Sequence, residues 1–226
     1  VRTFFTSPKF NKEYISLLDS LPSIPKINDG KKAYVLGALF SDGHIRIDKH
    51  TTGNPRRGTI TFTQKPTENK ELFINTVQQY FEESFGDSFR DGRPKFSSGN
   101  IRGRLVQGYA NDYICGNLEI AQNITKISQN LASWILRLDD SSCLNFLAGL
   151  IDGDGCLHQN RLHIYADKEN ILQGIIIACM NLGIFPQITK NRTIHHIQIL
   201  ERIPEILQFT KRIQGPTKYK ILGNKL

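Results

Sequence analysis

Two stretches of the chain decide its fold: Phe146–Gly155, which reads FLAGLIDGDG, and Tyr34–Gly43, which reads YVLGALFSDG. They align without a gap, so Gly37 pairs with Gly149, Asp42 with Asp154 and Gly43 with Gly155. Each is almost continuously apolar, contains no proline and closes on Asp-Gly, which predicts a helix stopped by a glycine in the left-handed position just after it. Self-similarity on this scale predicts a duplicated fold.

Working outward, each motif is followed by a segment with two-residue alternation, Thr59–Thr63 in the first copy and Arg161–Tyr165 in the second. An amphipathic helix comes next in each half, with Leu72, Val77 and Phe81 expected in the core of the first and Ile171, Ile175 and Leu182 in the core of the second. Two further strands precede a last helix: about 89–96 and 101–109, then about 187–192 and 194–200. The order is helix, two strands, helix, two strands, helix, written twice, with Leu138–Ser142 as connector. The fold class is therefore α+β with pseudo-two-fold symmetry. Residues 1–138 hold an N-terminal arm and the first half, and residues 139–226 hold the second half and a tail. The arm, 1–31, is expected to contain one short helix near Asn11–Leu21. A Gly, Pro and Arg-rich stretch at His50–Arg57 and a loop around Asp91–Asn100 lengthen the first copy.

Inside each motif the small residues stand four apart, Gly37 with Ser41 and Gly149 with Gly153, and so share a helix face. Two helices that touch through such faces deliver Asp42 and Asp154 side by side at one end. That crowding is unfavourable, because the acids repel each other and sit at the negative end of the helix dipole. A hard divalent ion relieves it, since Mg²⁺ takes one or two carboxylates together with water and substrate phosphate. Phosphodiester hydrolysis is the reaction such a site implies.

The balance of 29 Lys and Arg against 21 Asp and Glu, net +8, favours a polyanionic partner. Cys115, Cys143, Cys156 and Cys179 form no CxxC pair and have no histidine at finger spacing, which argues against a structural zinc site and for reduced thiols. No apolar run approaches the ~20 residues of a membrane span, and the start of the chain lacks a signal-peptide core, so an intracellular, soluble protein is expected.

FLAGLIDGDG at 146–155 resembles the signature of the LAGLIDADG homing endonucleases nearly letter for letter, and YVLGALFSDG resembles a looser second copy. The resemblance extends over most of residues 33–220. It implies a monomer whose αββαββα halves form a saddle over double-stranded DNA around the two central motif helices, cutting a long, loosely palindromic target with Mg²⁺ or Mn²⁺, while Ca²⁺ substitutes without cleavage. Carried over by position, the metal-binding acids are Asp42 and Asp154, with the carbonyls of Ser41 and Gly153 as further ligands. The first copy departs at Phe40, where the second has Asp152. Gln64 corresponds to a polar residue that orients water near the metals, with Asp167 as its symmetric counterpart; an ordinary strand-end role remains open for both. Lys218 or Lys220 fits a cation that settles the scissile phosphate, and Lys126 and Arg137 are the first-half candidates.

Base-reading residues are expected among Arg46, Arg57, Thr59, Thr61, Thr63, Lys65, Arg102, Arg104 and Gln107 in the first half. The second half offers His158, Arg161, His163, Tyr165, Gln187, Thr189, His196 and Gln198. Two rival readings stay on the table: an RNA-binding intron maturase on the same scaffold, and a DNA-binding regulator without catalysis. Retention of both Asp42 and Asp154 favours the nuclease.

Overall fold

A computed structural model describes residues 25–101, 104–213 and 218. The expected arm helix near Asn11–Leu21, together with Arg102 and Lys220, lies outside these residues. The first half runs α1 (Gly30–Asp42), β1 (Gly43–Lys49), β2 (Pro55–Gln64), α2 (Glu68–Phe85), β3 (Arg90–Ile101), β4 (Arg104–Cys115), α3 (Leu118–Gln129) and α4 (Leu131–Leu136). The second half runs α5 (Asp140–Asp154), β5 (Cys156–His158), β6 (Arg161–Ala166), α6 (Glu169–Asn181), β7 (Gln187–Asn191), β8 (Ile194–Ile199) and α7 (Ile203–Phe209). Each half builds one antiparallel four-stranded sheet, in the orders β1-β2-β4-β3 and β5-β6-β8-β7, so the duplication seen in the sequence is a duplication of topology.

One face of each sheet is buried against helices. In β2 the residues Ile60 and Phe62 are inaccessible while Thr59, Thr61 and Thr63 remain partly open, the alternation of a sheet with one core face. The first core is aromatic: the Phe62 and Phe73 rings meet edge-on with centroids 5.5 Å apart, and those of Phe81 and Phe89 stand at 4.2 Å. The second core is mainly aliphatic, with Ile164, Ile171, Ile175, Ile197 and Ile199 all buried.

Three expectations need correction. Leu72 is 54% exposed; the buried stripe of α2 is Phe73, Ile74, Val77 and Phe81, whose spacing of one, three and four residues leaves Leu72 off its edge. The segment 91–100 is strand rather than loop, since β3 pairs with β4 in register from Arg93 to Ile101, which also carries β4 on to Cys115. Gly43 and Gly155 are extended, at φ −106° and −84°, not left-handed. Their requirement is space: a Cβ on Gly43 would lie 2.4 Å from the Leu39 carbonyl oxygen, and one on Gly155 would lie 2.6 Å from Ile151 Cα and 2.8 Å from the His163 carbonyl oxygen. Each glycine lets a strand leave its helix sharply, and so fixes where the preceding Asp points.

The two halves are joined through the chain leading into α1. Ile27 donates to the carbonyl of Arg137 at 2.7 Å and accepts from Asp139 at 3.0 Å, a parallel bridge that ties the entry of α1 to the entry of α5. Among the described residues no helix is long and apolar enough to cross a membrane.

Candidate active site and nucleic-acid interface

Helices α1 and α5 make the most extensive contact between any two elements. Their small residues are its cause. A Cβ added to Gly37 would stand 2.3 Å from the Phe146 carbonyl oxygen, one on Gly149 would stand 2.1 Å from that of Tyr34, and one on Gly153 would strike the Ser41 hydroxyl. Backbone therefore meets backbone along the crossing, and both helices end at the same level. There the Cβ missing from Gly153 leaves room for Asp42, whose Oδ2 would be only 3.1 Å from it.

The Asp42 and Asp154 carboxyls are within hydrogen-bonding contact. Burial first, and the neighbouring Asp154 second, push the Asp42 carboxyl up to about 6. The Gln64 amide opposes this by donating to Asp42 Oδ2, and Lys70 holds Gln64 in turn, its Nζ 2.6 Å from Gln64 Oε1. Two acids forced together in a partly dehydrated corner, with Gln64 and Lys70 beside Asp42, could hold a hard cation that takes oxygen ligands. Among the described residues no group of three or more His, Cys, Asp or Glu side chains converges here, so a cation held by the two carboxylates would need further oxygens from backbone, water or substrate.

The sign of the Asp42 shift gives a stability prediction. Its folded-state value exceeds the ordinary 3.8, so the metal-free fold is favoured while Asp42 is protonated and loses that benefit as pH rises from about 4 through about 6. Asp42→Asn should accordingly raise the melting temperature in EDTA at pH 8 but not at pH 4, by at most about 3 kcal/mol of stability. Thermal melts of both proteins at the two pH values read this directly.

Pseudo-symmetry makes the two sides unequal. Gly43 pairs with Phe62 in the first sheet, and Cys156 with His163 in the second. Because Gly43 corresponds to Gly155, Phe62 corresponds to Ile164 and Gln64 to Ala166. Asp167, expected as the counterpart of Gln64, lies one residue past β6, out of phase with Gln64 and exposed. Counting from the helix caps Thr67 and Lys168, Lys70 likewise corresponds to the buried Ile171.

The second side is supported by the segment after α7. Asp152, fully buried, accepts from Tyr34 Oη at 2.7 Å and from the backbone of Lys211, Arg212 (2.9 Å) and Ile213 (3.3 Å). Arg212 Nη2 then donates to the Ile151 carbonyl at 2.7 Å and to that of Gly155, placing a cation on the negative end of α5. Phe40, which replaces this acid in the first motif, packs against the core instead. Lys218 is buried, its ammonium donating to the carbonyl of Thr210 at 2.8 Å and to its hydroxyl at 3.2 Å. Lys126 and Arg137 lie on α3 and after α4. Neither Lys70 nor Arg212 was singled out from the sequence, where nothing marks them.

The sheet faces turned away from the helices collect most of the expected base readers. Register puts Arg46 beside Thr59 and Asp48 beside Arg57, while Thr63 bonds its cross-strand partner Asp112 at 2.7 Å. In the second sheet Arg161, His163 and Tyr165 of β6 share a face with His158, with His196 and Gln198, and with Gln187 and Thr189. Lys65 is exposed just past β2; Arg104 and Gln107 lie on β4. His44, paired with Thr61, and the exposed Lys95 are further polar members of the first open face. Burial and His196 hold His163 below the ordinary histidine range, against a smaller opposing pull from the His158 carbonyl.

Comparison with known proteins agrees with this architecture. Residues 141–214 match the family model of a LAGLIDADG-like domain. Solved structures of the homing endonuclease I-DmoI superpose with a TM-score of 0.57 at 14% identity, covering 83% of this chain and 98% of the other. One is a complex with DNA and Mn, at TM-score 0.55 and 16% identity over 83% of this chain and 99% of that one. I-WcaI bound to its DNA recognition sequence gives 0.52 at 13% identity, over 96% of this chain and 95% of the other. A curated relative, a probable phosphoenolpyruvate synthase of Methanocaldococcus jannaschii, is 29% identical over 204 residues; the match takes in 86% of this chain but only 16% of that protein's length.

Proposed function

From a chain that matches a LAGLIDADG-like domain model at 141–214 and shares the fold of a homing endonuclease over 83% of its length, we propose a site-specific double-strand DNA endonuclease that uses divalent metal. One observation carries the reading: Asp42 and Asp154, brought from the two halves by helices in backbone contact, share one corner with Gln64 and Lys70 beside them.

Bound there, a divalent ion would activate water and neutralise charge building on the scissile phosphate. Asp42 and Asp154 would hold it, with the carbonyls of Ser41 and Gly153 as further ligands. Gln64 fixes the direction of the Asp42 carboxylate, and Lys70 fixes Gln64 while adding a positive charge near the acid pair. Arg212 keeps the end of α5 from fraying by capping its last carbonyls. Gln64→Ala should slow cleavage about 10- to 100-fold with DNA affinity little changed, since an orienting residue is lost and no ligand; single-turnover rates beside gel-shift affinities separate the two.

The open sheet faces, one rich in threonine and arginine and the other in histidine, differ too much to read identical half-sites, so the target is a long, imperfect palindrome. Binding by the excess of Lys and Arg should weaken steeply with salt, on the order of a thousandfold between 50 and 200 mM. Selection of cleaved sequences from a randomised duplex library, with and without Mg²⁺, tests the whole reading. A single long asymmetric site recovered only with metal is the expected result, and a library that stays uncut under all conditions overturns it.

A further inference from the structure

We propose that His196 is a specificity-determining residue for the second half of the target: its ring is held in one tautomer with Nδ1 bare, so that it accepts a hydrogen bond from the amino group of an adenine or cytosine and rejects guanine and thymine. The role deepens the endonuclease reading and rests on it, because it takes the open face of the second sheet as a face that reads DNA.

A short relay sets the tautomer. His163 stands on that face of β6 and is only 8% exposed. Its ring is engaged twice, by the backbone of His158 and, through Nδ1, by His196 Nε2 at 2.7 Å. The His158 contact favours the protonated ring, so the ring donates there and a carbonyl accepts. Burial, and after it His196, hold His163 below the ordinary histidine range, which leaves a neutral ring with a single N–H to give. Nδ1 lies in the contact with His196, so the N–H given to His158 is that of Nε2, and Nδ1 is an acceptor. The proton in the 2.7 Å contact therefore belongs to His196 Nε2, and a neutral His196 so protonated has a bare Nδ1.

The surroundings keep the ring in place. The His163 and His196 rings are tilted by only 12° with centroids 4.9 Å apart, which suits a bond from nitrogen to nitrogen. The Tyr165 ring, directly across the register from His196, lies within 9° of it at 5.0 Å. Among the described residues no hydrogen bond engages His196 Nδ1, and the residue is partly exposed. His163, expected as a base reader, has no ring nitrogen left for a base and is a positioning residue. In the major groove a bare nitrogen finds a donor in the amino group of adenine or cytosine, and a repelling acceptor in guanine O6 or thymine O4. A histidine free to change tautomer would take either set and discriminate little.

Nitrogen-15 NMR of the free protein at pH 8, above the ordinary histidine range, reads the tautomer without any DNA. Nε2 protonated and Nδ1 bare is the expected state of both rings, and a His196 protonated at Nδ1 overturns the proposal. His163→Phe keeps a flat ring in the buried place and removes the acceptor, so the His196 nitrogens should shift toward a mixture of tautomers; unshifted signals overturn the relay. Specificity is read by selecting bound duplexes from a randomised library in an Asp154→Asn background, so that cutting plays no part. One position should favour adenine or cytosine over guanine and thymine about tenfold, and His196→Ala should remove that preference alone. A selected sequence whose profile His196→Ala leaves unaltered overturns the role of His196 but not the endonuclease reading. No selected sequence at all, with the tautomer as stated, overturns that reading and this role with it.

Discussion

Asp154→Asn is expected to give a protein that folds, binds its DNA target and does not cut it. The substitution keeps the shape of the side chain at the end of α5 and removes its charge, so the packing at Gly153 and the exit into β5 are undisturbed. What disappears is one of the two carboxylates proposed to hold the cation. With no third acid or histidine converging among the described residues, there is no substitute. Loss of a metal ligand at a phosphodiester-cleaving centre should cost at least about a thousandfold in rate, roughly 4 kcal/mol of barrier. DNA affinity should hold or rise slightly, since a negative charge facing phosphate is gone. Plasmid linearisation and gel-shift titration, run on one preparation, read both quantities. Cleavage within about tenfold of the parent would remove Asp154 from the chemistry.

The second large effect comes from adding one methyl group. Gly149→Ala would place a Cβ 2.1 Å from the backbone oxygen of Tyr34 and 3.0 Å from the nitrogen of Ala38. Both are main-chain atoms within a helix, so neither can swing aside, and α1 and α5 must separate. Overpacking of a core ordinarily costs 1–3 kcal/mol, and a clash between two backbones belongs at or above the top of that range, about 3 kcal/mol or more. Gly37→Ala, facing the Phe146 oxygen at 2.3 Å, should behave alike. Gly99→Ala, with nothing within 4 Å of its added carbon and no left-handed backbone, is the control and should be nearly silent. Because the same separation would draw Asp42 from Asp154, the folded fraction of Gly149→Ala should also cut poorly. Denaturant titration gives the stability term; a loss below about 1 kcal/mol would mean that the crossing is looser than the structure has it.

The motif helices and their acids were legible in the sequence because their determinants are local and repeated: apolar runs, four-residue spacing and a terminal Asp-Gly. That the polar residues of the second sheet share one face was legible for a similar reason, since alternation along β6 and β8 fixes which residues stand together. Where a position depended on distant chain, sequence fell short. Asp167 rather than Ala166 looked like the partner of Gln64, because phase across the halves is set by the pairing of β5 with β6 and not by residue count. Lys70 lies on a different element from Asp42 and reaches it only through Gln64. Arg212 and the shell around Asp152 depend on how the segment after α7 returns to α5. Gly43 and Gly155 were recognised as necessary, but their need is room beside Leu39 and Ile151 rather than a left-handed turn.

The central claim is that the two halves hold a divalent cation between Asp42 and Asp154 at the end of the crossed helices. Crystals of the protein with its selected duplex and Mn²⁺, measured at the manganese absorption edge, locate the ion by anomalous scattering. A peak beside the two carboxylates is predicted, lost in Asp154→Asn. Manganese elsewhere on the protein, with that corner filled only by a side-chain contact between the acids, would contradict it.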